Sequence, residues 1–210
     1  MLGPVPFNHN NHYHSLLLRQ VPAGARRALD VGCGTGAFAR RLAARGIDVD
    51  AVDPSAEVIR SARQQPLPPN AGAVHYQQAD ATQVDLPEGH YDVISCLASL
   101  HHMPFDTVSR FRAALSPGGV LLVLGCFREE WPTDAPMTLL AVPANAVMRV
   151  ATWAKEQATR PQRTVKAPVS AADMTLREIR SSAAELLPGN TIRRLLFWRY
   201  LLVFRNNAGR

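Results

Sequence analysis

A glycine-rich stretch between residues 28 and 37 constrains the fold more than any other part of this sequence. It reads Ala-Leu-Asp-Val-Gly-Cys-Gly-Thr-Gly-Ala. Its apolar start predicts a buried strand, its glycines predict a turn, and the pattern from Phe38 onward predicts a helix. Glycine permits positive φ and lets the backbone approach a ligand closely, so the turn is a candidate cradle for a small molecule. The same pattern also fits the loose dinucleotide fingerprint, or a turn that is simply tightly packed.

The chain on either side of this turn alternates between strand and helix patterns. Short apolar strands are predicted at 27–31, 47–52, 73–77, 91–96 and 120–124. Helices are predicted at 15–20, 37–45, 55–64, 104–115 and 171–187. Such alternation implies a parallel sheet covered by helices on both faces, with ligands beyond the carboxyl ends of the strands. The runs Thr191–Phe197 and Tyr200–Phe204 are too close together for a crossover helix, so they must pair antiparallel.

The 210 residues are enough for one domain with its own core. We divide this single domain into four parts. They are an N-terminal lid segment (1–22), a cofactor-binding core (23–125), an insertion that shapes the substrate site (126–170), and a closing helix with a β-hairpin (171–210).

Composition narrows the class of protein further. No secretory signal pattern and no apolar run of about 18 residues is present, so we expect a cytoplasmic protein without an integral membrane segment. The three cysteines have no C-x-x-C spacing, which argues against a disulfide framework and against a metal site. The net charge of +6 comes entirely from the last third of the chain. Scattered arginines there favour a solvated surface over a nucleic-acid or membrane surface.

A carboxylate lies at or just after the end of each of the first three predicted strands: Asp30, Asp53 and Asp80. Asp53 lies 21 residues after Gly32, where it can accept hydrogen bonds from both hydroxyls of a ribose. Asp80 is placed to accept a hydrogen bond from the exocyclic amino group of a base. A surface turn explains each carboxylate taken singly, but three in succession indicate an adenosine-containing ligand.

Five motifs in order resemble the class I S-adenosylmethionine-dependent methyltransferases. They are Leu-Asp-Val-Gly-Cys-Gly-Thr-Gly (29–36), Val-Asp-Pro-Ser (52–55), Gln-Ala-Asp-Ala (78–81), Tyr-Asp-Val-Ile-Ser-Cys with Leu-His-His-Met (91–103), and Leu-Ser-Pro-Gly-Gly-Val-Leu (115–121). Within that family the chain is most similar to enzymes that methylate quinone precursors and secondary metabolites, several of which carry a His-His pair after strand four. The resemblance implies an α/β fold with a doubly wound, Rossmann-like seven-stranded sheet of order 3-2-1-4-5-7-6, whose last strand is antiparallel.

The resemblance also implies the cofactor, S-adenosylmethionine, with S-adenosylhomocysteine as product. The residues expected to bind it are Asp30, Gly32, Cys33 and Gly34 at the methionine part, Asp53 and Pro54 at the ribose, Asp80 and Ala81 at the adenine, and Cys96 and Leu97 at the sulfonium. The chain lacks both the Asn/Asp-Pro-Pro-Tyr/Phe run and the Pro-Cys nucleophile of enzymes that methylate nucleic acids. We therefore expect a small-molecule acceptor and no nucleic-acid partner.

We predict methyl transfer to a small, partly apolar organic acceptor by in-line displacement, in which the protein mainly holds the acceptor at attack distance. A base is needed where the acceptor arrives protonated, and His101, His102 and His14 are the candidates. Among these we favour His102, because it follows strand four. For each histidine the alternative is that it merely packs or caps.

Two segments outside the motifs are expected to complete the site. In the N-terminal lid, Tyr13 would contact the cofactor carboxylate and His12 the substrate; a frayed terminus is the alternative. In the insertion, Trp131, Met137 and Met148 would wall an apolar acceptor pocket. The alternative there is an amphipathic helix on a membrane surface, helped by Arg149 and Lys155.

Two other functions share parts of this pattern. A nicotinamide-dependent oxidoreductase would share the glycine turn and Asp53 but would not account for Asp80. A non-catalytic S-adenosylmethionine-binding subunit would keep the cofactor pocket and lose the acceptor cavity. The sequence leaves open the acceptor, the methylated atom and whether the chain forms a homo-oligomer.

Overall fold

The computed structural model describes residues 9–130, 172–196 and 198–207. Within these ranges the strands are β1 Arg27–Val31, β2 Asp48–Asp53, β3 Val74–Gln78, β4 Tyr91–Leu97, β5 Leu115–Cys126, β6 Thr191–Leu195 and β7 Arg199–Arg205. The helices are α1 His9–Leu18, α2 Ala37–Ala43, α3 Ala56–Arg63, α4 Val108–Ala114 and α5 Leu176–Leu186. Two short 3-10 turns, Leu100–His102 and Phe105–Thr107, lie between β4 and α4.

The strands form one seven-stranded sheet in the order β3-β2-β1-β4-β5-β7-β6. β1 to β5 run parallel to one another, and β7 runs antiparallel to both of its neighbours, β5 and β6. This confirms the predicted strand order and the reversed last strand. In the centre of the sheet, Val31 pairs with Val52 on one side and with Cys96 on the other. The carboxyl ends of β1, β2 and β4 therefore meet at one edge, which is where the candidate site lies.

The sheet buries both of its faces. Successive strand residues point to opposite sides, so in β5 the side chain of Leu121 joins the core under α4 and α5, whereas that of Leu122 joins the core under α1 and α2. The first core also takes Phe111 of α4, and the second takes Leu17 of α1. Helices on both faces explain why the strands read as nearly continuous apolar runs.

Several boundaries differ from those predicted, and three of the larger differences have a clear cause. α1 begins at His9 rather than at residue 15, because Tyr13 and Leu17 lie four residues apart and both are buried. α4 begins at Val108 rather than at residue 104, since a 3-10 turn follows Pro104. β5 begins at Leu115 rather than at residue 120, because Leu115 already pairs with Tyr91 before a shift of register.

The closing helix α5 is shorter than predicted and begins at Leu176. Thr175 caps it, and a capping box with Glu178 satisfies backbone N–H groups at its start. Residues 131–171, which include most of the predicted insertion (126–170), lie outside the described residues, so the division of the domain into four parts stays a prediction. Among the described helices, none has the length and apolar character needed to cross a membrane.

Candidate cofactor and acceptor site

The glycine turn after β1 has the open backbone that a ligand cradle requires. Gly32 has φ +65°, and a Cβ there would lie 2.3 Å from Cβ of Ser99, so only glycine fits. Gly34 has φ +55°, and a Cβ there would meet nothing within 4 Å. The first glycine is thus required by packing, while the second presents bare backbone to open space, where a ligand can approach.

Hydrogen bonds hold this turn against the end of β2. The N–H of Cys33 donates to the carbonyl of Val52 at 3.0 Å, and the N–H of Gly34 donates to the Asp53 carboxylate at 3.0 Å. Cys33 itself is buried, and burial raises the pKa of its thiol, so Cys33 contributes a small apolar side chain here and not a thiolate. The turn is therefore preorganised beside Asp53.

Asp53 is half-buried and oriented by backbone donors. Its Oδ2 accepts from Gly34, and its Oδ1 accepts from the N–H of Ser55 at 2.9 Å. A carboxylate has about four lone-pair positions, so both oxygens keep capacity for a further donor. This arrangement suits two neighbouring hydroxyl donors, as the ribose interpretation requires.

Asp30 is almost completely buried and only partly hydrogen-bonded. The Ser95 hydroxyl donates to its Oδ1 at 2.7 Å, while its Oδ2 has no hydrogen-bond partner in the described part of the chain. Burial raises the pKa of Asp30 to about 7, and the Ser95 hydroxyl and the backbone N–H of Ala39 only partly offset that effect. An unsatisfied buried carboxylate oxygen is costly. A cationic or N–H donor beside the glycine turn would satisfy it, so these residues fit the expected cofactor.

The side expected to hold the adenine is more open. Asp80 is exposed, and its Oδ1 accepts from the N–H and the hydroxyl of Thr82 at 2.8 and 2.9 Å. These hydrogen bonds hold the pKa of Asp80 below its usual range. Ala81 next to it is buried, whereas Pro54 is exposed and accepts a hydrogen bond from the side chain of Gln78. Asp80 is thus a fixed, ionised acceptor at the rim.

The chain turns sharply after β4, just before the pair His101 and His102. Cys96 is fully buried with its Sγ 3.0 Å from Oγ of Ser99, and the half-buried Leu97 ends the strand. Ala98 then adopts φ +53°, an uncommon conformation for a residue with a Cβ. Ser99 donates to the carbonyl of Val31 at 2.7 Å. Ser99 therefore links the segment after β4 to the end of β1.

A small pocket of about 70 Å³ lies beyond the ends of β4 and β5. Most of its lining residues are apolar, but polar and apolar atoms contribute about equally to its exposed surface. Its lining residues are Leu100, His101, Met103, Pro104, Phe105, Cys126, Asp173, Met174, Ile179 and Tyr200. Sites for whole organic ligands usually enclose about 300–1,000 Å³, so the described residues alone do not enclose a whole organic ligand.

The two adjacent histidines differ in whether they line this pocket. His101 is half-buried and lines it, whereas His102 is exposed and is not among the lining residues. Their ring centroids are 4.1 Å apart. Only His101 lines this pocket, because the 3-10 turn aims consecutive side chains in different directions. The choice of His102 as the base stays a prediction.

The N-terminal candidates are placed as parts of a packed helix. His14 is 3% exposed and lies against Phe38, and burial lowers its pKa to about 4. The Tyr13 hydroxyl donates to the carbonyl of Leu196 at 3.0 Å, and His12 is exposed. The roles predicted for these three residues stay predictions. Trp131, Met137 and Met148 lie outside the described residues.

Sequence reasoning missed most of the pocket wall. Met103, Phe105, Met174, Ile179 and Tyr200 come from three separate parts of the chain, and nothing local marks them as a group. The sequence offers one hint of this wall. Gly125 lies near the end of β5 and Tyr200 near the start of β7, and these two strands pair. In the part of the chain that the structure covers, no three His, Cys, Asp or Glu residues are grouped to hold a metal ion.

Comparison with known proteins shows the family of this chain. Residues 28–119 match the family described as "Methyltransferase domain". An uncharacterized methyltransferase of Mycobacterium tuberculosis is 37% identical over 203 residues, which cover 95% of this chain and 97% of that protein. The ubiquinone biosynthesis O-methyltransferase of Xanthomonas axonopodis is 33% identical over 135 residues, covering 63% of this chain and 54% of that protein.

A solved structure supports the fold. The crystal structure of a SAM-dependent methyltransferase from Methanosarcina mazei aligns with a TM-score of 0.61 at 17% identity. The alignment covers 96% of this chain and 99% of that one.

Proposed function

Because this chain belongs to the class I S-adenosylmethionine-dependent methyltransferases, we propose that it methylates a hydroxyl oxygen of a small, partly apolar organic acceptor. It is an enzyme, and its cofactor is S-adenosylmethionine. The observation that carries the proposal is the pocket beyond β4 and β5, which combines apolar side chains with polar groups and has His101 in its wall. The name of the Xanthomonas relative supports oxygen as the methylated atom.

The cofactor would lie across the carboxyl ends of β1 and β2. The bare backbone of Gly34 would lie against its methionine part, Asp30 would meet its ammonium group, and Asp53 would accept from the ribose hydroxyls. Asp80 would accept from the adenine amino group at the open rim. When bound, the cofactor supplies a methyl group on a sulfonium centre, which an oxygen nucleophile can attack directly.

The protein's own contribution is to position the acceptor and to receive its proton. Apolar walls such as Met103, Phe105 and Met174 exclude water and hold an apolar ring or chain. Holding the two reactants in attack geometry supplies about 7–11 kcal/mol of the barrier. His101 would take the hydroxyl proton as the oxygen attacks, a step usually worth about 10²–10⁴ in rate.

The proposal is tested by methyl transfer from radiolabelled S-adenosylmethionine to matched acceptors. A set of phenols is compared with anilines, thiophenols and carboxylates of the same ring, and the products are separated by chromatography. We expect the phenols to be methylated fastest. Faster methylation of an amine or a thiol would contradict the choice of oxygen. Binding of S-adenosylhomocysteine without transfer to any acceptor would favour the non-catalytic subunit, and tight binding of NAD instead would favour the oxidoreductase.

The role of His101 is tested by a pair of neighbouring variants. His101→Ala should lower kcat by about 10²–10⁴ with a phenol acceptor, most strongly at low pH, where the acceptor does not ionise by itself. His102→Ala is the matched control and should retain most of the activity, because its side chain is exposed. Both variants should bind S-adenosylhomocysteine like the wild type in calorimetry. A larger loss in His102→Ala than in His101→Ala would reverse the assignment.

A further inference from the structure

Tyr200 lies near the start of β7, where its ring packs over a glycine of the neighbouring strand. It pairs with Gly125 of β5, and its side chain lies on the sheet face that also carries Cys96 and Leu202. A Cβ on Gly125 would come within 2.2 Å of the tyrosine ring and 2.4 Å of its hydroxyl oxygen. The missing Cβ therefore leaves the space that the ring fills, and the ring lies directly over the Gly125 backbone.

This placement puts the phenol side chain of Tyr200 in the wall of the acceptor pocket. Tyr200 lines the pocket together with His101 and Met174, although only 2% of the residue is exposed. Cys126 lines the same pocket, and Cys96 near the end of β4 belongs to the same buried core cluster as Tyr200. Tyr200 thus connects the acceptor pocket with the cofactor end of the sheet.

The hydroxyl of Tyr200 makes no hydrogen bond to any residue in the described ranges. Buried tyrosines normally satisfy their O–H, and Tyr13 and Tyr91 both do so here, with the Leu196 carbonyl and the Asp50 carboxylate. The Tyr200 hydroxyl is also not among the fully enclosed polar atoms that lack a partner. The Tyr200 hydroxyl can therefore donate a hydrogen bond to a molecule in the pocket.

We propose that Tyr200 is an acceptor-binding residue, whose hydroxyl donates a hydrogen bond to an oxygen of the molecule that is methylated. The inference rests on the proposed function and adds a specificity requirement to it. The acceptor carries an oxygen that can accept a hydrogen bond, and an acceptor of the same shape without that oxygen binds more weakly.

The chemistry of the phenol suits a donor better than a base. Burial raises the pKa of Tyr200 well above its usual range, and the two neighbouring cysteines add to that effect. The phenol therefore stays protonated and neutral at physiological pH. A neutral donor fixed by the strand pair can orient an acceptor oxygen while leaving proton removal to another group, such as His101.

The test uses 4-nitrocatechol as a probe, because its visible absorbance reports binding without methyl transfer. The probe is titrated into the complex of the protein with S-adenosylhomocysteine. Tyr200→Phe keeps the ring over Gly125 and removes only the hydroxyl. We expect this variant to bind the probe roughly 10- to 100-fold more weakly than the wild type, as for loss of a hydrogen bond to a neutral or charged oxygen.

Two further variants separate this role from a structural one. Tyr91→Phe removes another buried tyrosine hydroxyl, at the opposite end of β4, and should leave probe affinity unchanged. Gly125→Ala keeps the hydroxyl but displaces the ring, so it should also weaken probe binding. Calorimetry with S-adenosylhomocysteine should give wild-type affinity for Tyr200→Phe and Tyr91→Phe.

Equal affinity of wild type and Tyr200→Phe for the probe, including binding to neither, would overturn the inference. An equal loss in Tyr91→Phe would also overturn it, because the effect would then follow general stability. If Tyr200→Phe weakens probe binding while the wild type methylates no hydroxyl compound, the inference stands and the proposed oxygen chemistry fails. If phenols are methylated but Tyr200→Phe binds and methylates them normally, only the inference fails.

Discussion

At the scale of single residues, Asp53 combines an observed structural task with a proposed binding task. Its carboxylate holds the glycine turn through the N–H of Gly34 and the start of α3 through the N–H of Ser55. The remaining lone pairs are those proposed for the ribose. Because the same oxygens serve both tasks, the loop and the ligand are coupled through one side chain.

Asp53→Ala is expected to weaken binding of S-adenosylhomocysteine by on the order of 1–3 kcal/mol, because it leaves the ribose hydroxyls without an acceptor. Isothermal titration calorimetry measures this difference. Asp48→Ala is the matched control, since Asp48 lies at the other end of β2 and its carboxylate accepts from the N–H of Ala73. Unchanged affinity in Asp53→Ala would remove the ribose assignment.

His14 should make the stability of the protein sensitive to acid. Burial and, to a lesser extent, Arg41 lower the pKa of His14 from 6.5 to about 4. Between these values the unfolded chain binds a proton that the folded chain does not, so the stabilising contribution is complete above pH 6.5 and is lost as pH falls toward 4. In His14→Phe, urea unfolding of the ligand-free protein should depend less on pH in this range.

Asp30 provides a control of opposite sign in the same measurement. Its pKa is raised from 3.8 to about 7, so the folded chain keeps a proton that the unfolded chain has lost. Its stabilising contribution is complete below pH 3.8 and is lost as pH rises through 7. Asp30→Asn should therefore make the stability of the apoprotein rise more steeply with pH. Identical slopes in wild type and both variants would contradict both assignments.

At the scale of secondary-structure elements, α5 forms one wall of the pocket. Met174 precedes the helix and Ile179 lies in its first turns, and both line the pocket. The segment is anchored because the N–H of Arg128 donates to the carbonyl of Met174 at 2.8 Å. The cap at Thr175 therefore fixes the pocket wall as well as the helix start.

Thr175→Ala should destabilise the protein by about 0.5–2 kcal/mol, since the hydroxyl of Thr175 accepts from the N–H of Glu178 and donates to the Glu178 carboxylate. Urea unfolding measures the loss. Thr175→Ser keeps the hydroxyl and should retain most of the stability, although Thr175 is buried and loses a methyl group. Equal losses in the two variants would show that packing matters here more than capping.

At the scale of the whole molecule, α1 belongs to the core of the domain. Tyr13, Leu17 and Leu18 are buried in the core under α1 and α2. The Tyr13 hydroxyl also reaches Leu196 near the end of the β6–β7 hairpin, 183 residues away in sequence. A truncation of residues 1–14 would thus remove core contacts along with any lid.

Leu17→Ala should lower the free energy of unfolding by about 2–5 kcal/mol, because Leu17 is fully buried and the change leaves a cavity. The exposed Arg19 at the same end of α1 provides the control, and Arg19→Ala should have little effect. Circular dichroism and tryptophan fluorescence should report the same midpoint if α1 unfolds with the rest. A separate early transition of α1 would instead favour the detachable lid.

Much of this molecule follows from local rules in its sequence. The spacing of apolar runs and of glycine predicted the strands, and the five motifs implied their order, because periodicity and turn chemistry depend on neighbouring residues. The same rules placed Asp30, Asp53 and Asp80 at one edge of the sheet, since parallel strands end together. Burial and hydrogen-bond partners could not be predicted in this way. Only the packed chain raises the pKa of Asp30 and encloses His14.

The pocket beyond β4 and β5 was decided by the tertiary structure. His101 and His102 are neighbours in sequence, but the turn after β4 brings only the first to the pocket. Tyr200 and Gly125 are 75 residues apart, and the antiparallel pairing of β5 with β7 brings the ring over the glycine. The packed chain as a whole sets the direction of side chains in an irregular turn. It also sets the contacts between distant strands. Neither can be predicted from a local pattern in the sequence.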